Sequence, residues 1–167
     1  MLYLKAMNPE DAAAEYACLQ DLPSENGFEN EAYGISFERF VQEEIPKRLR
    51  ASQGQDLPAA GRVPDTHYFL WDEGTAVALF KVRHYLNDAL REGSGHICYG
   101  VRRSCRGKGY ATRGLALAIE KAREVIPERE IYMSVSRQNP ASLRVQLKNG
   151  AFIHHEDEKE YYTRIKL

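Results

Sequence analysis

The chain has 167 residues, 43% hydrophobic and 28% charged, which suits one globular domain that buries its core without disulfide or metal staples. A formal net charge of -1 argues against nucleic acid or an anionic membrane as partner, since both select clustered Lys and Arg. Cys18, Cys98 and Cys105 are an odd, scattered set, and no stretch approaches the roughly 18 apolar residues of a membrane span. With no signal-length apolar run at Met1 to Lys5, these features predict a cytoplasmic protein with a small partner.

In chain order, Leu2 to Ala6 alternates as a short strand, and Pro9 to Leu19 and Phe37 to Leu49 read as helices. The segment Ser24 to Glu44 mixes Glu25, Glu29, Glu31, Glu38, Glu43 and Glu44 with Phe28, Tyr33, Phe37 and Phe40. It is either an acidic, aromatic wall for a cationic amine or a solvated helix face with its aromatics in the core. Gln53 to Pro64 collects loop residues. Tyr68 to Trp71 and Val77 to His84 are strands separated by Asp72-Glu-Gly-Thr75, which is hairpin chemistry, and Gly95 to Val101 is a further strand.

After a glycine-punctuated turn, Ala111, Leu115, Ala118, Ile119, Ala122 and Val125 recur at helical spacing. Glu130 to Ser136 is a strand, and Asn139-Pro-Ala-Ser142 opens a short helix with Asn as N-cap, Pro at the first helical position and Gly150 past the end. Phe152 to His155 and Tyr161 to Ile165 close the chain as strands. The order β-α-α-β-β-β-α-β-α-β-β predicts an α/β fold whose mixed, largely antiparallel sheet is flanked by helices. One parallel crossover is expected between the strands flanking the Ala111 to Val125 helix.

Chemistry concentrates in Tyr99-Gly-Val-Arg-Arg-Ser-Cys-Arg-Gly-Lys-Gly-Tyr-Ala-Thr112, between a strand and the first turn of an amphipathic helix. A helix N-terminus offers backbone N–H groups without intrahelical partners and a partial positive charge, which suits a diphosphate. Gly107 and Gly109 permit close approach, and Arg106 and Lys108 add positive charge. A nicotinamide-dinucleotide fingerprint fits less well, because its third glycine would fall at Thr112.

The run Arg106-x-x-Gly109-x-Ala111 resembles the Arg/Gln-x-x-Gly-x-Gly/Ala signature of the GNAT superfamily of N-acetyltransferases. The elements that follow agree: a strand, the Asn139-Pro-Ala-Ser142 helix, then Asn149-Gly-Ala-Phe152. The resemblance covers about residues 66 to 167 by motif and the N-terminal part by element order. His84-Tyr-Leu-Asn87 and Gly95-His-Ile-Cys-Tyr-Gly100 are further similar to a group of bacterial GNAT proteins.

What the resemblance implies is direct transfer of an acetyl group from acetyl-CoA, as cosubstrate, to a primary amine of a small molecule or peptide. It implies two adjacent strands splayed apart, with the pantetheine arm paired to Tyr99, Gly100 and Val101. The diphosphate would sit on the turn Arg106, Gly107, Lys108, Gly109, Tyr110 and Ala111, with Asn139 and Ser142 bordering the pantetheine and sulfur. Many relatives carry a Tyr seven residues after the Asn to protonate the departing thiolate, and that position here is Gln146. This leaves Tyr161 and Tyr162 as distant acid candidates. It also supports an alternative, a catalytically silent acetyl-CoA-binding module acting as a sensor or within a complex. The oligomeric state stays open, a homodimer included.

An amine acceptor must lose a proton before it attacks. Alternation puts His96, Cys98 and Gly100 on one strand face, where only His96 titrates near physiological pH. His96 is therefore the expected base, with Glu92 next and a structural histidine as the plainer reading. Cys105, beside Arg103 and Arg106, is expected to be an idle thiol. The pair His154-His155 hints at metal, yet neighbours on a strand point to opposite faces, and no metal site is expected.

Overall fold

The computed structural model describes residues 1–57 and 61–167; positions 58–60 of the predicted Gln53 to Pro64 loop lie outside the described residues. Its most extensive ladder is a hairpin, β2 (Asp65–Asp72) with β3 (Thr75–Arg83). Glu73 (φ 47°) and Gly74 (φ 78°) close it with two positive-φ residues, the backbone that matches the twist of two-residue hairpins. Strand β1 (Leu2–Ala6) pairs with the outer edge of β2, and β4 (Ile97–Val101) with the outer edge of β3, giving a sheet in the order β1-β2-β3-β4. A second sheet, β5-β7-β6, is formed by β5 (Glu130–Ser136), β6 (Phe152–Glu156) and β7 (Glu160–Lys166).

Helices cover both faces of the first sheet. On one face, α1 (Ala12–Gln20), α2 (Phe37–Arg39) and α3 (Ile45–Ser52) bury Leu19, Leu22, Phe40 and Ile45 against Phe69, Trp71 and Leu79. Between α2 and α3 the helix widens over Phe40–Glu44, where Ile45 N–H donates to Phe40 O, five residues back. Pro46 accounts for this: it has no N–H and its ring crowds the carbonyl four residues earlier. On the other face lies α5 (Tyr110–Val125), whose Leu115, Ala118 and Ala122 pack on Leu70, Phe80 and Val82. Burying each such large side chain contributes about 1.5–3 kcal/mol. Gly114 is needed for the contact, since a Cβ there would meet Phe80 Cζ at 2.4 Å.

The same core continues into the second sheet through Ile131, Met133 and Ile165. Beneath it, α6 (Pro140–Lys148) connects β5 to β6. A short helix, α4 (Asp88–Glu92), precedes β4 and was not visible in the sequence pattern. The expected parallel pairing across α5 is corrected by the structure. All ladders between the named strands are antiparallel, and β4 and β5 belong to different sheets, joined by one isolated antiparallel bridge, Gly95 to Met133.

Candidate functional site

The junction at Gly95 shapes the site. Gly95 has φ +66°, and a Cβ there would lie 2.1 Å from Tyr132 O, so the strands can touch only because this residue has no side chain. His96 N–H donates to Tyr132 O at 2.7 Å. Beyond this contact β4 and β5 separate and leave a cleft of about 640 Å³ between their edges. Arg83 N–H donates to His96 O and Arg102 N–H to Val77 O, which fixes the alternation along β4. Backbone groups of Cys98 and Gly100 therefore face β3, whereas those of Tyr99 and Val101 face the cleft. Gly100 contributes space rather than backbone groups, since a Cβ there would meet Leu22 Cδ1 at 2.8 Å and Phe28 Cε1 at 3.2 Å.

At its open end the cleft meets the glycine turn. Gly107 and Gly109 both have φ +78°, with no atom within 4 Å of where a Cβ would sit, so the backbone is uncovered. Gly109 caps α5 without a side-chain hydrogen bond. The backbone N–H groups from Gly107 to Thr112 find no acceptor among the described residues. Together with the dipole of a 16-residue helix they form an anion cradle. Arg106 lies at its edge, with Nε donating to Val101 O at 3.1 Å and Nη2 paired to Glu25. The Arg106 guanidinium holds the Glu25 carboxyl below its ordinary value. Tyr110 and Ala111 line the cleft; Lys108 is exposed and does not. The Tyr110 hydroxyl donates to Asp72 Oδ2 at 2.7 Å.

The far wall is α6. Asn139 caps it, accepting from Ser142 N–H at 3.2 Å, and both residues border the cleft. Ser142 Oγ lies 2.8 Å from the Tyr99 hydroxyl. Gln146 is buried, with its Oε1 accepting from Thr163 Oγ1 at 2.6 Å.

His96 stands elsewhere than expected. It is fully buried, its Nδ1 accepts from Tyr132 N–H at 2.9 Å, and its Nε2 lies 3.0 Å from Glu128 Oε2. An Nδ1 that accepts must be unprotonated, so Nε2 carries the proton and donates to Glu128. Burial lowers the imidazole's affinity for a second proton, although Glu128 opposes this. With both ring nitrogens engaged, His96 has no free lone pair, and it is not among the residues that line the cleft, so the structure does not bring it together with the glycine turn. Glu92 ends α4 on the exposed surface and is not among the residues that line the cleft.

Tyr161 and Tyr162 do not line the cleft either. Arg137 lies over the Tyr161 ring, and the Tyr162 hydroxyl donates to Asp157, which pushes its pKa up to about 12. Cys105 is half-buried at the cleft margin, and all three cysteines are free thiols. A bulge between Ile153 and His155 breaks the alternation of β6, so the His154 and His155 imidazoles meet at 2.8 Å rather than pointing apart. Among the described residues no group of three or more His, Cys, Asp or Glu is arranged to hold a metal ion. No helix among them is long and apolar enough to cross a membrane.

The segment Ser24 to Glu44 divides between both of its readings. Phe40 is core, and Glu31 pairs with Lys47 and Arg48, whereas Glu25 and Phe28 reach the cleft. They flank a tight turn with Asn26 at φ 52° and Gly27 at φ 83°. The Asn-Gly pair was the signal for that turn. Glu160, at the start of β7, also lines the cleft, and no sequence pattern pointed to it.

Residues 29–151 match the acetyltransferase (GNAT) family. The chain belongs to that family. Members are acetyl-CoA-dependent acetyltransferases. No curated protein matches. Solved structures share the GNAT fold at low identity. The ribosomal-protein-S5-alanine acetyltransferase of Vibrio fischeri superposes with TM-score 0.70 and 14% identity, over 99% of this chain and 92% of that one. A GNAT-family acetyltransferase of Streptococcus pneumoniae gives 0.65 and 15%, over 100% of both chains. The spermidine N-acetyltransferase of Vibrio cholerae, solved with CoA and spermine, gives 0.61 and 16%, over 99% and 95%.

Proposed function

We propose that residues 1–167 act as one catalytic domain that moves an acetyl group from acetyl-CoA directly to a primary amine of a small molecule or peptide. One observation carries this reading: the uncovered N–H cradle from Gly107 to Thr112 opens into a cleft bordered by the β4 edge that faces away from β3. Acetyl-CoA, when bound, supplies the activated acetyl thioester. The cradle holds its diphosphate, helped by Arg106, and the backbone groups of Tyr99 and the Val101 N–H pair with its pantetheine arm. Asn139 and Ser142 border the same arm.

Glu160 serves as the base, taking the amine's proton directly or through water. It lines the cleft and makes no ion pair among the described residues, whereas Glu25 is held by Arg103 and Arg106. Both carboxylates favour a cationic acceptor.

Calorimetry with CoA tests the cradle. Wild type is expected to bind with micromolar affinity, and Gly109→Val to lose about 100-fold or more, because its side chain would stand where the diphosphate rests. Lys108→Ala should cost only about threefold, since an exposed charge is screened. Equal affinity in wild type and a folded Gly109→Val protein overturns the placement. Thiol release across an amine library then separates an enzyme from a silent acetyl-CoA-binding module.

A further inference from the structure

Beyond the backbone groups that Tyr99 turns to the cleft, its side chain spans from one wall to the other. The ring stacks on Phe80, with centroids 5.4 Å apart and planes at 20°, and reaches from the free edge of the first sheet across to α6. There its hydroxyl lies 2.8 Å from Ser142 Oγ and 3.3 Å from Ser142 O. The longer contact is weak and easily exchanged; the shorter lets Ser142 Oγ–H donate to the phenol oxygen.

Two neighbours on the cleft wall offer no proton to a thiolate: Gln146 is an amide, and Glu25 is a carboxylate paired with Arg103 and Arg106, which hold it ionised. The Tyr110 hydroxyl is engaged by Asp72. Burial pushes the Tyr99 phenol above its ordinary value, while Ser142 and Gln146 draw it back. It holds its proton at neutral pH and has hydrogen-bond donors at hand to steady the phenolate once the proton leaves.

We propose that Tyr99 is the proton donor to the CoA sulfur, supplying from β4 what Gln146 cannot supply from α6. The inference rests on the acetyl-transfer reading. The amine's lone pair forms the C–N bond, the C–S bond breaks with its electron pair left on sulfur, and the Tyr99 O–H proton moves to that sulfur. The phenolate, held by Ser142 Oγ–H, recovers a proton from water, and the proton lost by the amine leaves through Glu160. The reason for a donor is dielectric: an unpaired thiolate in a half-dry cleft is costly.

The test uses Tyr99→Phe, which keeps the ring stacked on Phe80. CoA itself is the probe: the pKa of its thiol in the protein complex is read from thiolate ultraviolet absorbance, with binding followed by calorimetry. A phenol that donates to the thiolate should place the bound thiol's pKa about one unit or more lower in wild type than in Tyr99→Phe, at similar CoA affinity. Where an acceptor is found, kcat should fall about 10- to 100-fold with the KM for acetyl-CoA little changed. Equal thiol pKa values in the two complexes, or wild-type turnover by Tyr99→Phe, overturn the proposal. Failure of wild type to bind CoA overturns the acetyl-transfer reading itself and Tyr99's role with it.

Discussion

Both ring nitrogens of His96 are occupied before any substrate arrives, one by a backbone N–H of β5 and the other by Glu128. The residue joins the two sheets at the apex of the cleft, where the Gly95 bridge lies. His96→Ala leaves the Tyr132 N–H without its acceptor and Glu128 Oε2 without its donor, although Oε1 keeps Leu86 N–H and Arg91, and is expected to cost about 2–4 kcal/mol in urea denaturation. Turnover of the protein that remains folded should stay within about threefold of wild type. A loss of about 100-fold at intact stability would make His96 the base. Sequence reasoning ranked His96 as a base because alternation placed it on the face of Cys98 and Gly100. Alternation says which face a side chain leaves from, but not what the facing strand offers it, and Tyr132 and Glu128 lie more than 30 positions away.

Single glycines decide whether the elements can meet. Gly95→Ala would put a Cβ against a backbone carbonyl, which cannot swing away as a side chain can. A loss of roughly 3 kcal/mol or more, or failure to fold, is expected from thermal or denaturant unfolding. Gly107→Ala meets nothing within 4 Å and bears only the positive-φ strain, about 1 kcal/mol. Comparable stability of the two variants would remove Gly95 as the pivot of the cleft. The limits of β1 and β5 were legible, as was the start of α6, because alternation and capping are local signals. Helix α4 was not, since five residues are too few for a helical period, and the widened turn at Phe40–Glu44 leaves the apolar spacing nearly unchanged.

Two buried groups set the stability of the whole molecule against pH. Glu15 is fully buried, with one carboxylate oxygen accepting from Asn8 N–H and the other unpaired, and burial pushes its pKa from 4.5 up to about 8. A pKa raised on folding contributes stability at low pH that is lost as pH climbs from 4.5 toward 8. His67 acts oppositely: burial lowers its pKa from 6.5 to about 3, so stability is lost as pH falls below 6.5. His84 and His96 are shifted in the same direction. Stability is expected to peak near about pH 6.5 and to drop by about 2 kcal/mol by pH 8. In urea titrations Glu15→Gln should abolish the alkaline drop, and an unchanged drop would exclude Glu15 as its source. By itself the sequence determined the strand-turn-helix that carries the N–H cradle, its glycines and the cap of α6, because each depends on residues within a turn or two of one another. Tertiary structure alone decided that β4 and β5 part at Gly95, that Glu25 and Glu160 line the cleft between them, and that the Tyr99 hydroxyl reaches Ser142. Those contacts join residues tens of positions apart, and their distances are set by how helices and sheets pack.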